Sequence, residues 1–432
     1  MLYDRWCRVA SQRPSALALS DLFSGQHWTF RELRDSAESY SCEEEIVHPQ
    51  GHSAEFILAL LAAWRLGKVT CPLEPGGAAP AVPRPPLGCV HLKSTSATGG
   101  VPRLVAFTAS QLAADAENIV ATMGLRADWP NLGVISIAHS YGFSNLVLPL
   151  LLHGVPLVLV PSPWPETVRR ASEHYQALTL AAVPALWRAW HEAGAIPPQV
   201  RLAISAGAPL QAALEGTIFK RHRLKVHNFY GSTECGGIAY DASDTPRTDD
   251  ACVGAPLRNV RLSLSPDGCL AVESAAVGQS YWPQPSESLA GGRFRTSDLA
   301  EVSGGVVRLC GRLSDQINVA GRKIAPATVE AALCQHPDVD ECLVFGVPSP
   351  EANRAESIVA CIVAKHPVAS ERLRTFLMEK LSDWQLPRFW WFVDSLAVNS
   401  RGKISRSEWR ERYLAQQPPA TAGVSRHENE ST

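Results

Sequence analysis

The chain has no surplus of positive charge: 40 Lys and Arg stand against 42 Asp and Glu, a formal net charge of -2 over 432 residues. Without a basic block, or aromatic residues interleaved with basic ones, it lacks the electrostatic footprint that nucleic acid or an anionic lipid surface requires. Cysteine is present but unpatterned. Its 11 residues (Cys7, Cys42, Cys71, Cys89, Cys235, Cys252, Cys269, Cys310, Cys334, Cys342 and Cys361) are odd in number and never spaced as CxxC. That spacing points away from a disulfide framework or a zinc site and towards reduced thiols. No apolar run is long enough for a membrane helix, which needs roughly 20 residues. The most apolar stretch, Leu146 to Pro161, is interrupted by Pro149, His153, Gly154 and Pro156. The N-terminus carries Asp4 and Arg5 and has no secretory apolar region, so a soluble, cytoplasmic protein without a transmembrane segment is expected. There is no GxxxxGK[ST] phosphate loop either.

What is present is alternation. Helical periodicity (Glu55 to Gly67, Gln111 to Met123, Pro165 to Glu173) changes places with short apolar or β-branched runs (Lys68 to Leu73, Leu132 to Ala138, Leu157 to Val160, Leu178 to Ala182, Val200 to Ser205). This is the rhythm of layered α/β architecture. From Asp241 to Val306 short strands with turns such as Pro266-Asp267-Gly268 predict a β-rich subdomain. Beyond Gly311 a helix near Pro326 to Gln335, strands near Cys342 to Gly346 and Ile358 to Val363, and a helix near Glu371 to Ser382 predict a small α+β domain. The expected organisation is a large α/β domain over 1–311, a small mobile domain over 312–415 and a disordered tail over 416–432.

Four segments carry chemistry. Ser94-Thr95-Ser96-Ala97-Thr98-Gly99-Gly100-Val101-Pro102-Arg103 gathers hydroxyls, glycines and a guanidinium, the donors that cradle phosphate oxygens, although such clusters are also found in plain loops. Asn228-Phe229-Tyr230-Gly231-Ser232-Thr233-Glu234 follows the strand-like Leu224 to Val226. It offers an aromatic face, hydroxyls and a carboxylate able to ligate a hard cation, or else simply a capped turn. Asp298 and Arg312 suit ribose hydroxyls or a surface ion pair, and Gly402-Lys403 sets a lysine behind a glycine turn.

In order and spacing these segments together resemble the adenylate-forming superfamily of acyl-CoA synthetases, aryl-CoA ligases, non-ribosomal adenylation domains and luciferases. The resemblance runs from Thr29-Phe30-Arg31-Glu32-Leu33 to Lys403. Thr95 to Arg103 is similar to the family's phosphate loop, and Ala138-His139-Ser140-Tyr141-Gly142 to its substrate-side histidine segment. Ser205-Ala206-Gly207-Ala208-Pro209-Leu210 resembles the adenine-facing strand end, Arg295-Thr296-Ser297-Asp298 the Arg-Thr-Gly-Asp segment, and Gly311 to Ile324 the hinge and the loop around Gly321.

The resemblance implies that a carboxylic acid is activated with ATP to an acyl-adenylate, pyrophosphate leaves, and the acyl group passes to a thiol, CoA or a phosphopantetheine carrier protein. Lys403 would neutralise the developing phosphoryl charge, Thr233 touch the α-phosphate and Glu234 hold Mg2+. The loop residues Thr95, Ser96, Thr98, Gly99, Gly100 and Arg103 would cradle the phosphates. Tyr230 and Gly231, with Ala206, Gly207 and Ala208, would face adenine, while Asp298 and Arg312 would hold the ribose. His139 would stand on the acyl side, and rotation of the small domain would bring the loop around Gly321 to the thiol.

The sequence departs from the pattern at Ala97 for Gly, Gly99 for Thr or Ser, Arg103 for Lys, Ser297 for Gly, and Ser314 at the hinge beside a retained Asp315. Tyr141, Phe143 and Phe229 predict apolar pocket walls, with room left by Gly236 and Gly237. No acidic residue besides Glu234 is placed to receive an α-amino group, so a fatty or aromatic acid is expected. The rival reading is a degenerate nucleotide- or acyl-binding protein in which Ala97 and Ser314 have ended turnover.

Overall fold

The computed structural model describes residues 2–80, 83–95, 103–349, 355–397 and 404–416. It packs as two units, Met1–Leu313 and Ser314–Thr432. The break follows Leu313, where the sequence reading put it after 311, so Arg312 belongs to the last strand of the large unit.

In the large unit the strands Leu17–Asp21, Leu157–Leu159, Asn131–Gly133, Leu178–Ala182, Val200–Ser205 and Val226–Ser232 lie side by side and parallel. The strands Leu157–Leu159, Asn131–Gly133 and Leu178–Ala182 are buried along their whole length, as expected for strands covered on both faces. Beyond Val226–Ser232 the same sheet becomes antiparallel, through Gly236–Tyr240, Cys252–Pro256, Val306–Arg312, Arg293–Ser303, Cys269–Glu273 and Arg261–Leu264. This is the β-rich region read from Asp241 onward.

A second sheet, Ile46–Val47, Val69–Thr70, Cys89–Ser94, Leu104–Thr108 and Ser280–Trp282, carries the neck of the Thr95–Arg103 loop between its third and fourth strands.

The helices follow from local chemistry. Ala109–Met123 starts in a capping box, Thr108 with Gln111, and stops at Gly124 in the left-handed conformation (φ 68°). Ala54–Arg65 is apolar almost all round because nine of its residues are buried. The interrupted apolar stretch from Leu146 is no single element: a π-helical turn, Phe143–Val147, runs into the α-helix Leu148–His153, and Gly154 at φ 70° ends it. No helix among the described residues is long and apolar enough to cross a membrane.

In the small unit, strands Val339–Pro348 and Glu356–Ala364 pair antiparallel, and Phe389–Phe392 adds in parallel. Leu333 from the helix Pro326–Leu333 and Leu373 and Leu377 from Ser370–Met378 cover one face of this sheet. Trp409 and Tyr413 from Arg406–Gln416 cover the other. Each fully buried Leu or aromatic side chain contributes about 1.5–3 kcal/mol, and the two clusters give this unit its own core.

Candidate active site

Strands Val200–Ser205 and Val226–Ser232 are in register, Ser205 opposite Asn228, so the segments leaving their C-terminal ends emerge at the same edge of the sheet. After Ser205 the Ala206 N–H donates to the Ala182 carbonyl at 3.2 Å. The chain then turns through Gly207 at φ +87°, a left-handed conformation that favours glycine. Gly207 is exposed and Ala208 half-buried.

The second strand runs further than expected. The segment read as a turn after Leu224 to Val226 is itself strand as far as Ser232, and it returns as Gly236–Tyr240. Tyr230 and Gly231 thus stand on a paired strand instead of a loop. The Tyr230 hydroxyl donates to Asp298 Oδ2 at 2.5 Å, and Arg312 Nε donates to Asp298 Oδ1 at 3.1 Å. Asp298 and Arg312 face each other across neighbouring strands. Burial, and then the Asp298 charge, push the Tyr230 phenol well above its ordinary range, so it remains a neutral donor. The Tyr230–Asp298 bond was not foreseen, because the two residues are 68 positions apart.

Next to this cluster the chain doubles back at Thr233, Glu234 and Cys235. The Glu234 N–H donates to Ser232 Oγ at 3.2 Å, and Glu234 Oε1 accepts the Tyr281 hydroxyl at 2.9 Å. The Arg103 guanidinium lies 3.7 Å from the Tyr281 ring centroid. At the loop neck the Thr95 N–H donates to the Arg103 carbonyl at 2.8 Å, and the Arg103 N–H to Thr95 Oγ1 at 3.0 Å. The expected phosphate ligands Ser96, Thr98, Gly99 and Gly100, with the substituted Ala97, lie outside the described residues.

On the acyl side, His139 Nδ1 accepts the Tyr141 N–H at 3.3 Å, which fixes the imidazole at a helix start. Tyr141 and Phe229 meet with ring centroids 6.1 Å apart. Two expectations are corrected here. Phe143 turns from the pocket wall into the core, stacked on His91 at 4.2 Å. Gly236 and Gly237 leave no room for substrate, because protein already fills it. A Cβ at Gly236 would fall 2.0 Å from Asp115 Oδ1, and one at Gly237 2.4 Å from Leu257 Cδ2.

Asp115 is itself a residue the sequence reading missed. It accepts Ser144 Oγ at 2.6 Å and the Gly237 N–H at 3.1 Å, with Lys93 Nζ at 3.6 Å. Its carboxylate is engaged within the protein.

In the small unit Gly321, at φ +83°, tips the hairpin of Ile317–Val319 and Arg322–Ile324, and its N–H donates to Asn318 Oδ1 at 2.9 Å. Asp315, the acidic residue retained beside Ser314, accepts Arg406 Nη1 at 2.8 Å, while Arg406 also reaches Glu330 at 2.6 Å and the Val344 carbonyl at 2.7 Å. Lys403 lies outside the described residues.

Mg2+ is a hard cation that takes one or two carboxylates and leaves its remaining positions to water and phosphate. A single half-buried carboxylate, Glu234, beside Thr233 fits that demand. Among the described residues no three His, Cys, Asp or Glu side chains gather into a closed metal cage.

The chain is similar to known proteins in sequence and fold. A family model described as AMP-binding enzyme matches residues 89–281, and one described as AMP-binding enzyme C-terminal domain matches residues 328–403. A feruloyl-CoA synthase from Amycolatopsis sp is 28% identical over 404 residues, covering 88% of this chain and 81% of its own. The ATP-bound structure of MatB from Rhodopseudomonas palustris superposes with a TM-score of 0.83 at 19% identity, over 96% of this chain and 99% of that one. The o-succinylbenzoate CoA synthetase from Bacillus subtilis, in complex with its acyl-adenylate intermediate, gives 0.79 at 20% identity, over 94% and 97%.

Proposed function

Since the chain belongs to the AMP-binding enzymes, the adenylate-forming superfamily of acyl- and aryl-CoA synthetases, we propose that it is an acid–thiol ligase that activates an aromatic carboxylic acid with ATP and passes the acyl group to CoA. The observation that carries the reading is the meeting, at one sheet edge, of the Gly207 turn, the Tyr230–Asp298–Arg312 cluster and Glu234.

In the first step a carboxylate oxygen of the acid bonds to the α-phosphorus of ATP, the bond to the β-phosphate breaks, and pyrophosphate leaves. In the second a thiol sulfur attacks the acyl carbon, AMP leaves, and the thiol proton is lost to solvent. Little covalent chemistry falls to the protein, so positioning and electrostatics dominate.

Tyr230 packs beside adenine with the Ala206-Gly207-Ala208 backbone. Asp298, already oriented by Tyr230 and Arg312, accepts ribose hydroxyls. Thr233 and the loop from Thr95 to Arg103 would donate to phosphate, and Glu234 would hold Mg2+, which would spread the phosphate charge. Lys403 supplies positive charge to the adenylation step, and the hairpin around Gly321 serves the thiol step. His139, with Tyr141 and Phe229, faces the acid.

The aromatic half of the expectation is favoured over the fatty half by the feruloyl-CoA synthase relative, whose name specifies an aromatic acyl group, and by the Tyr141–Phe229 pair.

Carboxylate-dependent exchange of labelled pyrophosphate into ATP, over aryl, fatty and amino acids, tests the proposal. Exchange with aryl acids is expected. ATP binding without exchange for any acid would establish the degenerate binding protein instead. Lys403→Ala should cut exchange by orders of magnitude while leaving transfer from a supplied acyl-adenylate largely intact; equal loss in both would refute that lysine's role.

A further inference from the structure

One short segment holds Glu234 at two points. The Gly278 N–H donates to the Glu234 backbone carbonyl at 2.8 Å, and the Tyr281 hydroxyl to its Oε1 at 2.9 Å. The segment has no slack: a Cβ at Gly278 would lie 2.6 Å from Val105 Cγ1, and Ser280–Trp282 is paired along Leu104 to Ala106. Tyr281 is 2% exposed, while the residue stacked on its ring, Arg103, is exposed and closes the neck of the phosphate loop through Thr95. Those contacts give a physical reason for arginine at this position. A planar guanidinium can stack on an aromatic face while keeping its donors at the rim, whereas an ammonium is a point charge.

We propose that Tyr281 is a positioning residue that sets the Glu234 carboxylate, and that Arg103 clamps Tyr281, so that one side chain ties the phosphate-loop neck to the cation-holding acid. The inference rests on the reading of Glu234 as the Mg2+ residue. Orientation is what a hydroxyl bound to Oε1 adds: it selects which face of the carboxylate is presented and stops the side chain from swinging to another rotamer.

The test is equilibrium binding of ATP to the full chain by titration calorimetry across a Mg2+ series, with no acid present and no turnover. In the wild type, ATP affinity should rise with Mg2+. If the wild type binds no ATP, the ligase reading itself fails. If it binds ATP indifferently to Mg2+, the role of Glu234 fails and this proposal with it.

Tyr281→Phe keeps the ring and the Arg103 stack but removes the donor. It should raise the Mg2+ midpoint about tenfold, the order expected for a hydrogen bond to a charged group, and leave affinity in EDTA unchanged. Glu234→Gln should shift the midpoint further, and adding Tyr281→Phe to it should cost nothing more. Arg103→Lys should move the midpoint in the same direction by about two- to threefold, the order of a stacked cation.

An unmoved midpoint in Tyr281→Phe, an equal loss with and without Mg2+, or full additivity with Glu234→Gln would each overturn the proposal. Should Tyr281→Phe fail to fold, Arg103→Lys becomes the deciding variant: a raised midpoint there supports the clamp, and an unchanged one overturns it.

Discussion

Two clusters of charge are buried behind the site, and they are built differently. Behind the nucleotide edge, Glu215, wholly buried, takes Lys225 and Arg247, while Lys225 also meets Asp241 at 2.5 Å. Arg247 then donates to the carbonyls of Leu210 at 2.6 Å and Cys252 at 2.7 Å. Two cations face two carboxylates, and the spare donors are spent on backbone. Behind the acyl side, one lysine meets one carboxylate: Lys93 Nζ stands 3.6 Å from Asp115 and 3.0 Å from Ser144 Oγ, with the Phe107 ring 4.7 Å away. The first cluster is saturated, whereas the second leans on a hydroxyl and an aromatic face. Burial pulls the Lys93 ammonium below the usual lysine range despite Asp115.

The comparison shows how differently buried charge can serve a site. The saturated cluster fixes the loop after Ser205 through Leu210. The sparse one joins four segments: the strand entering the phosphate loop (Lys93), the helix Ala109–Met123 (Asp115), the strand after Glu234 (Gly237) and the π-helical turn after His139 (Ser144).

The difference can be broken experimentally, most severely at Glu215. Glu215→Ala leaves buried Arg247 without a carboxylate and Lys225 with Asp241 alone, and should cost about 3–5 kcal/mol, read as loss of folded protein in urea melts. Asp115→Asn should cost about 3 kcal/mol by stranding Lys93. Unlike the first, that loss should be recovered in large part by adding Lys93→Met, since a buried pair can be replaced by apolar packing, whereas removing Arg247 would also orphan the Leu210 and Cys252 carbonyls. A double variant no more stable than Asp115→Asn would show the clusters to be equivalent.

pH separates them further. Burial alone would raise the Asp241 carboxyl, but hydrogen bonds from Lys225 and Ser243 outweigh it and hold the group below its ordinary value. A depressed folded value means that the stabilisation is complete above the unfolded value of about 3.9 and is lost as pH falls through the folded one. The gap in stability between wild type and Asp241→Asn should therefore be constant from neutral pH down to about 4 and close below it. A gap constant to lower pH would place the stabilisation elsewhere. The smallest effect is expected from Ser144→Ala, about 1–2 kcal/mol in urea midpoint, because Lys93 and Asp115 still have each other.

Part of this was legible beforehand. The alternation of helix and strand, the β-rich region after Asp241 and the segments around Thr95, Tyr230, Asp298 and Gly321 are local patterns, and local patterns can be read from order and spacing. Lys93 and Asp115 were not read, because a lysine in a short strand and an aspartate in an amphipathic helix look like surface residues until their partners are known. Tyr281 was missed for the same reason: it meets Glu234 only because its strand pairs with Leu104–Thr108. Gly236 and Gly237 looked like vacant space because a missing side chain reads as room. Asp115 and Leu257, distant in sequence, occupy that space.

The π-helical turn Phe143–Val147 has a consequence for how this stretch can change over time. A wide turn holds one more residue than an α-turn, and each residue of an α-helix advances the side chains by roughly 100°. Loss of any one residue there would restore a regular helix but rotate His139 and Tyr141 against the buried row Leu148 to Leu152. The segment can therefore exchange residue types far more freely than it can change length. A scan of single deletions along the chain should find intolerance here as sharp as in any core strand, with tolerated substitutions on either side.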